Sequence, residues 1–146
     1  MKCIALDDEP LALEVVRDFC SKFPFLELEK SFAKTSDASK HLRKFPVDLL
    51  FLDIHMPDIS GIEFYKSLSQ TPMVIFTTAY SEYALEGFNL SAVDYLLKPF
   101  EFTRFSEAVH KALDFYNYQK QSGKQQTKFL FVRSEYRLVK IQFSDI

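Results

Sequence analysis

The sequence predicts an α/β domain with a doubly wound, five-stranded parallel sheet, and three observations support this fold class. First, a short apolar run followed by a segment of helical periodicity recurs five times before residue 120. Second, Asp48–Leu52 is apolar after its first residue, as is typical of a parallel strand that is buried on both faces. Third, 47% hydrophobic and 26% charged residues in a chain of 146 match one globular domain of ordinary size.

The period of the hydrophobic pattern gives the order of the elements. In the first helix, Leu11, Val15, Phe19 and Phe23 recur every four residues along one face, and Pro10 suits the first turn. Right-handed crossovers then place helices on both faces of the sheet. The predicted strands are Lys2–Leu6, Leu26–Phe32, Asp48–Leu52, Met73–Thr77 and Val93–Leu97. The predicted helices are Pro10–Phe23, Ser36–Phe45, Gly61–Ser69, Glu82–Phe88 and Glu101–Tyr118.

Residues 1–118 form the predicted domain, and the composition changes after it. Residues 119–128 are polar and rich in Gln, which is typical of a linker. In residues 129–146, two apolar runs flank Ser134–Tyr136, which suggests the first hairpin of another domain. Because about 18 residues cannot build a core, we expect residues 129–146 to be the start of a truncated second domain.

Composition also restricts the location and the partners of the chain. No apolar run approaches the roughly 20 residues needed to span a bilayer, and the N-terminus is acidic too early for a signal peptide. We therefore expect a cytoplasmic protein, in which Cys3 and Cys20 are small buried residues without a disulfide or metal role. A net charge of -2 does not suggest that the body of the chain binds nucleic acid.

Polar and charged side chains that could form a binding or reactive site follow four of the five predicted strands. Asp7 and Asp8 follow the first strand, Asp53 the third, Thr78 the fourth and Lys98 the fifth. Ligands of open parallel α/β sheets bind at the carboxyl ends of the strands. We therefore expect these three carboxylates, the hydroxyl and the ammonium group to meet at one edge of the sheet.

Each of these residues has an ordinary interpretation when it is taken singly. Two adjacent acids are most often a solvated helix start, a lone lysine is most often on the surface, and a lone threonine is most often a cap or a core hydroxyl. Their convergence favours a binding site, because clustered carboxylates repel one another unless a cation is present. Carboxylate oxygens suit Mg²⁺, which binds through few protein ligands together with a phosphate. Lys98 and Thr78 would then face the phosphate.

Four motifs, in order and with suitable spacing, resemble the receiver domains of bacterial two-component response regulators. They are Asp7-Asp8, Asp53-Ile54-His55-Met56-Pro57-Asp58-Ile59-Ser60-Gly61, Thr78-Ala79 and Tyr95-Leu96-Leu97-Lys98-Pro99. The segment 79–88 resembles the subgroup with a LytTR-type output, and residues 129–141 resemble the first strands of that DNA-binding domain. The resemblance implies a flavodoxin-like sheet with strand order 2-1-3-4-5.

The resemblance also implies how the acidic residues act. Asp53 would be the phospho-acceptor, which attacks the phosphorus of a phosphohistidine on a sensor histidine kinase. Asp8, Asp53 and the backbone carbonyl of His55 would bind Mg²⁺, and Asp7 would act directly or through water. The domain would not be an enzyme in the usual sense, since it catalyses only its own phosphoryl transfer and slow dephosphorylation.

The remaining motifs imply a conformational switch. Lys98 would pair with the acceptor and then with the phosphoryl group, Thr78 would move to bond a phosphoryl oxygen, and Tyr95 would change rotamer in response. The Lys98–Pro99 bond is often cis in this family, and cis is accessible before proline. Phosphorylation would drive dimerisation through the fourth helix, fifth strand and fifth helix, including Tyr83 and Phe88. DNA would be bound only through the missing output domain, which would regulate transcription.

Three other readings remain open at this point. A phosphatase of the haloacid-dehalogenase type would place a second Asp two residues after the nucleophile, where this chain has His55, and Asp58 is too far on. A Rossmann domain would need a Gly-rich loop where this chain has Asp7-Asp8-Glu9. The third reading is a receiver fold that serves only as a constitutive interaction module, which phosphate uptake from a small donor would distinguish.

Overall fold

Five strands and four helices make up the part of the chain described by the computed structural model, namely residues 1–80 and 92–121. The strands are β1 (Lys2–Leu6), β2 (Glu27–Phe32), β3 (Leu49–Asp53), β4 (Met73–Thr78) and β5 (Asp94–Leu97). The helices are α1 (Pro10–Cys20), α2 (Thr35–Lys44), α3 (Gly61–Lys66) and α4 (Phe102–Gln121). All strand pairs are parallel, in the order β2-β1-β3-β4-β5, which confirms the predicted sheet.

Two predicted segments lie outside the described residues. They are the helix at Glu82–Phe88, with Tyr83 and Phe88, and the second domain at residues 129–146. The predicted fifth helix is therefore α4 here. It continues to Gln121, three residues past its predicted end and into the first part of the predicted linker.

The sheet separates two hydrophobic cores because side chains of a strand alternate between its faces. On β3, Leu49 and Phe51 face the core that is shared with α1 and α4. Leu50 and Leu52 face the core that is shared with α2 and α3. All four side chains are at most 2% exposed, so β3 is the central buried strand that its apolar sequence predicts.

Phenyl rings fill much of the first core. Phe105 of α4 is fully buried and lies 5.4 Å from the ring of Phe51, 5.3 Å from Phe19 and 6.2 Å from Phe100. These ring contacts join α1, β3 and the segment after β5 to α4. Cys3 and Cys20 are buried in the same core as free thiols, which agrees with the interpretation that they are packing residues.

Helix α1 differs from its predicted extent and face. It ends at Cys20, three residues early, since Pro24 disfavours helical backbone at the residue before it. The face that packs on the sheet contains Val16 and Cys20. In the predicted stripe, Leu11 is 75% exposed and Val15 is 40% exposed. Phe19 and Phe23, the other two members, pack in the core, so the four-residue spacing identified the helix and only the second half of its buried stripe.

Gly61 allows the start of α3 to lie against the end of β3. Its N–H donates to the carbonyl of Ile54 at 2.7 Å. A Cβ at this position would lie 2.9 Å from the carbonyl carbon of Asp53 and would overlap the carbonyl oxygen. Ser60 caps α3 by accepting a hydrogen bond from the Glu63 N–H at 3.1 Å. The loop after Asp53 is thus closed by a contact that only glycine permits.

The first prediction concerns this contact. Gly61→Ala should lower the free energy of unfolding by about 1–3 kcal/mol, because the added methyl group overpacks the backbone of Asp53. Ser60→Ala is the matched control: it removes the cap, at a cost of about 1 kcal/mol, but adds no atom beside Asp53. Urea unfolding gives both values, and amide chemical shifts should move at Asp53 in the Gly61 variant only. Wild-type stability for Gly61→Ala would contradict the close approach.

Candidate functional site

The carboxyl ends of β1, β3 and β5 bring the predicted acids and Lys98 together. Asp7 and Asp8 follow β1, and Asp53 is the last residue of β3, which neighbours β1 in the sheet. Asp7 and Asp53 are only 5% and 4% exposed, whereas Asp8 is exposed. One ligand atom from each of the three side chains lies within 4.8 Å of the other two. The site is therefore a small acidic cleft with one solvated carboxylate.

Both oxygens of Asp53 lie close to positive or polar groups. Oδ1 accepts a hydrogen bond from the His55 N–H at 3.1 Å. Oδ2 lies 3.6 Å from Nζ of Lys98. The loop that Gly61 closes thus presents the His55 amide to the carboxylate, while β5 delivers the lysine from the other side.

Lys98 is bound more tightly by Asp7 than by Asp53. Its Nζ donates to Oδ2 of Asp7 at 2.8 Å and to Oε1 of Glu9 at 3.3 Å. The second oxygen of Asp7 accepts the Glu9 N–H at 2.9 Å. Both oxygens of Asp7 therefore accept a hydrogen bond from the protein. The Lys98–Pro99 peptide that follows is cis, as the resemblance implied.

Charge and burial oppose each other at Asp53. Burial raises the pKa of Asp53 to about 7, and the neighbouring charge of Asp7 adds to this effect, which Lys98 only partly offsets. Burial alone would lower the pKa of Lys98, but its hydrogen bond to Asp7 and the charges of Asp7 and Asp53 outweigh burial and raise it. The lysine is therefore charged at neutral pH, yet the cleft still disfavours a second buried carboxylate.

These observations fit a hard divalent cation. Two carboxylates that are almost fully buried, with a third exposed beside them, supply oxygen ligands and an open approach. Burial, with the charge of Asp7, raises the pKa of Asp53, so a cation bound in the cleft would favour its ionised form. Mg²⁺ would be such a cation, and oxygens of Asp7, Asp8 and Asp53 lie close enough together to hold it.

Thr78 and two aromatic side chains border the cleft. Thr78 is 2% exposed, and its Oγ1 accepts the Tyr80 N–H at 3.0 Å. The rings of Tyr80 and His55 meet edge to face with centroids 4.7 Å apart. Tyr80 is 51% exposed and His55 is also exposed. The pair therefore spans the gap between the loop after β3 and the residues after β4, on the solvent side.

Tyr95 lies on β5 beside the strand that carries Thr78. Its ring is half-buried and stacks on Phe76 of β4 at 5.2 Å. Phe76 and Tyr95 are also backbone partners in the β4–β5 ladder. Tyr95, which the resemblance singled out, therefore lies opposite a residue that is two positions before Thr78 on β4.

Comparison with known families identifies the domain. A family model described as the response regulator receiver domain matches residues 3–110. The chain belongs to the response regulator receiver family. The predicted family and the predicted fold class are both confirmed. The acidic cleft lies at the carboxyl edge of the receiver sheet.

Curated relatives share the receiver domain and extend beyond this chain. Sensory transduction protein LytT from Enterococcus faecalis is 36% identical over 115 residues, which are 77% of this chain and 48% of the relative. Transcriptional regulatory protein BtsR from Salmonella typhi is 34% identical over an alignment that covers 100% of this chain and 64% of the relative. The chain thus spans about half to two thirds of the length of these relatives.

Solved receiver structures have the same architecture. The crystal structure of the response regulatory domain of protein mrkE from Klebsiella pneumoniae superposes with a TM-score of 0.73 at 32% identity, covering 80% of this chain and 98% of that one. RcsB from Salmonella enterica serovar Typhimurium, bound to promoter rprA, gives a TM-score of 0.69 at 20% identity over 78% of this chain and 62% of its own. At that identity RcsB supports the fold alone.

Two features of the receiver site were missed by the sequence interpretation. Glu9 was noted only as part of the acidic run, but it shares Lys98 with Asp7. Gly61 was noted only as part of a motif, although it sets the position of the Asp53 loop. Asp58, by contrast, is exposed and is not one of the three clustered acids, so the phosphatase reading gains no support.

No helix within residues 1–80 and 92–121 is long and apolar enough to cross a membrane.

The second prediction follows from the raised pKa of Asp53. Folding favours its protonated form, so this group stabilises the receiver fully below its ordinary pKa of 3.8, and that contribution is lost as pH rises towards about 7. Without divalent metal, the free energy of unfolding of Asp53→Asn relative to the wild type should therefore rise by roughly 1–2 kcal/mol when the pH is raised from about 4.5 to about 8. This figure is reduced for solvent screening.

Urea unfolding in a chelator at both pH values measures this difference. Asp58→Asn, in the same loop but exposed, is the matched control and should show no such gain. An equal stability difference for Asp53→Asn at both pH values would show that burial and Asp7 do not hold the carboxylate at a disadvantage.

Proposed function

We propose that Asp53 accepts a phosphoryl group from a phosphohistidine of a sensor histidine kinase, and that this controls the output of a two-component response regulator. The observation that carries the proposal is the position of Asp53. Its carboxylate lies in a cleft with Asp7 and Asp8, has Nζ of Lys98 at 3.6 Å and has the His55 amide at 3.1 Å. This arrangement supports an oxygen of Asp53 as the nucleophile, with the positive charge of Lys98 beside it.

In the proposed step, a carboxylate oxygen of Asp53 forms a bond to phosphorus while the phosphorus–nitrogen bond to the kinase imidazole breaks. The bonding electrons return to the imidazole nitrogen, and the ring, which carries a proton on its other nitrogen, leaves as neutral imidazole. Such transfers depend mainly on positioning and charge neutralisation. Lys98 offsets the charge on the phosphoryl oxygens, and the His55 amide orients the acceptor by holding Oδ1.

The acidic residues have a separate role in this proposal. Asp8, Asp53 and the backbone carbonyl of His55 would hold Mg²⁺, and Asp7 would act directly or through water while it keeps Lys98 in place. When bound, Mg²⁺ would add positive charge to the cleft and offset the negative charge on the phosphoryl oxygens, which lowers the barrier to transfer. Because the carboxyl of Asp53 has a pKa of about 7 in the metal-free cleft, a bound cation would also favour its nucleophilic form.

The phosphorylated state would be read through Thr78 and Tyr95. The Thr78 hydroxyl now accepts the Tyr80 N–H and donates to the Tyr80 carbonyl at 3.4 Å. A phosphoryl group on Asp53 would offer the hydroxyl a charged acceptor in place of that carbonyl. Phe76, on which Tyr95 stacks, is two residues before Thr78 on β4. A shift of Thr78 would therefore alter the packing of the Tyr95 ring.

We further propose that the active form dimerises through the face that contains Tyr95 and α4, and that the output is transcription regulation through a LytTR-type DNA-binding domain. Relatives named as a sensory transduction protein and a transcriptional regulatory protein support this role. DNA would be bound by the output domain and not by the receiver. Phosphorylation adds roughly one to two negative charges near β4, and a dimer forms only if it binds the resulting arrangement better.

The third prediction tests the acceptor. With acetyl phosphate and Mg²⁺, the wild type should take up one phosphoryl group, and Asp53→Asn should take up none because the amide is a poor nucleophile. Asp58→Asn, with the same change in an exposed position, should react like the wild type. Phosphate-affinity electrophoresis at neutral pH measures the modified fraction. A wild-type protein that stays unmodified would favour the constitutive interaction module, and a reactive Asp53→Asn would move the acceptor elsewhere.

The fourth prediction concerns the lifetime of the aspartyl phosphate. The Tyr80 ring contacts the ring of His55, two residues after Asp53, so we expect it to hinder the in-line approach of water. Tyr80→Ala should shorten the lifetime by roughly three- to tenfold, whereas Tyr80→Phe keeps the ring and should change it little. Decay after removal of the phosphodonor at constant Mg²⁺ gives both rates. Equal decay of the Ala variant and the wild type would disprove shielding by Tyr80.

A further inference from the structure

A second charged cluster lies away from the acidic cleft, at the junction of β5 and α4. Arg104 donates from Nη1 to Oδ2 of Asp94 at 2.8 Å and from Nη2 to Oδ1 at 2.7 Å, which is a two-pronged contact. Lys111 adds a bond to Oδ2 at 3.1 Å. Burial alone would raise the pKa of Asp94, but the bonds from Arg104 and the charge of Lys111 outweigh burial and lower it. Asp94 is thus held ionised by two cations from α4.

The same cluster binds both backbone polar groups of one residue, Tyr95. The Tyr95 N–H donates to Oδ1 of Asp94 at 2.8 Å, and the Tyr95 carbonyl accepts from Nη2 of Arg104 at 3.1 Å. These groups point away from β4. The Lys98 N–H donates to the Thr78 carbonyl of β4 at 2.7 Å, and peptide groups face alternate sides along a strand. Tyr95 therefore presents its N–H and C=O to the free edge of the sheet.

Free edges are where strands are mobile or pair with other chains. Strand β5 is an edge strand of only four residues, so few ladder bonds hold it to β4. The Asp94–Arg104 pair covers the edge at Tyr95 with a donor and an acceptor, in place of another strand. The backbone that carries the proposed switch ring is thus bonded on its outer side by α4.

The position of Arg104 supports a specific role. It is the third residue of α4, and that first turn contains no acidic residue. A cation near a helix N-terminus is unfavourable because of the helix dipole, and within α4 Arg104 has an ion pair with the exposed Glu107 at 3.6 Å. Its shorter contacts, at 2.7 and 2.8 Å, are with Asp94. Only the planar guanidinium reaches Asp94 with two nitrogens and the Tyr95 carbonyl with one of them, whereas a lysine ammonium is a point charge.

We infer that Arg104 is a positioning residue, which with Asp94 clamps the backbone N–H and C=O of Tyr95 and closes the free edge of β5. The inference rests on the proposed function only for the role of the Tyr95 ring. The clamp holds the backbone of Tyr95 fixed, so that a signal arriving from Thr78 changes the ring and its packing on Phe76 and does not displace the strand. The face around Tyr95 consequently offers side chains to a partner and no open strand edge.

Residue-resolved amide hydrogen exchange of the unphosphorylated, metal-free protein tests the clamp. Arg104→Lys keeps the charge but loses the two-pronged contact. The Tyr95 amide should then exchange roughly tenfold faster, since its acceptor Asp94 is no longer held in place. The Leu96 amide, which faces β4, should keep its rate. Lys111→Gln removes a cation from the same carboxylate but leaves the fork intact, and it should leave both amides unchanged.

Two results would overturn the inference. One is an unchanged Tyr95 amide in Arg104→Lys. The other is equal acceleration at Tyr95 and Leu96, which would mean that the variant only loosens β5 as a whole. A second readout is the nuclear Overhauser contact between the Tyr95 and Phe76 rings, which should weaken in Arg104→Lys and persist in Lys111→Gln. Neither measurement involves Asp53, so a failure to accept phosphate would refute the proposed function while leaving the clamp decided by its own result.

Discussion

The arrangement of this receiver depends on two buried carboxylates that share one lysine. Asp7 and Asp53 come from neighbouring strands and are almost fully buried, so their repulsion is weakly screened by water. Lys98 reaches both, but it lies at 2.8 Å from Asp7 and at 3.6 Å from Asp53. Burial and the charge of Asp7 raise the pKa of Asp53 to about 7, and the more distant Lys98 only partly offsets them. The cleft is therefore prepared for additional positive charge at the residue that is proposed to react.

A site that holds two buried carboxylates close together needs rigid support, and the sheet supplies it. Asp53 ends the strand with the most completely buried side chains, and Gly61 locks the following loop against it. Lys98 enters from β5, which is tied to β4 by the bond to Thr78. Placing catalytic groups on strand ends keeps them within hydrogen-bond reach without relying on flexible loops. The loops contribute mainly the exposed groups, such as Tyr80.

Much of the fold and the site could be predicted because both depend on local patterns. The apolar run before Asp53 identifies a buried strand, and residues after successive parallel strands must meet at one edge. The rest depends on contacts between distant segments. Nothing in the spacing of Leu11 and Val15 shows that they are exposed while Val16 and Cys20 of the same helix are buried. Likewise, Asp94 and Arg104 are ten residues apart, and only the crossing of β5 and α4 turns two ordinary charges into a clamp.

The clamp and the cleft together limit how a phosphorylation signal can travel. Allosteric coupling is typically about 1–3 kcal/mol, whereas each ladder hydrogen bond contributes about 0.5–1.5 kcal/mol. Sliding β5 would break the β4–β5 ladder and the three bonds that Asp94 and Arg104 make with each other and with the Tyr95 carbonyl. That cost exceeds the coupling available. Rotation of Thr78 and of the half-buried Tyr95 ring breaks far fewer contacts. A response carried by side chains on a fixed backbone is therefore the change that a single phosphoryl group can drive in this domain.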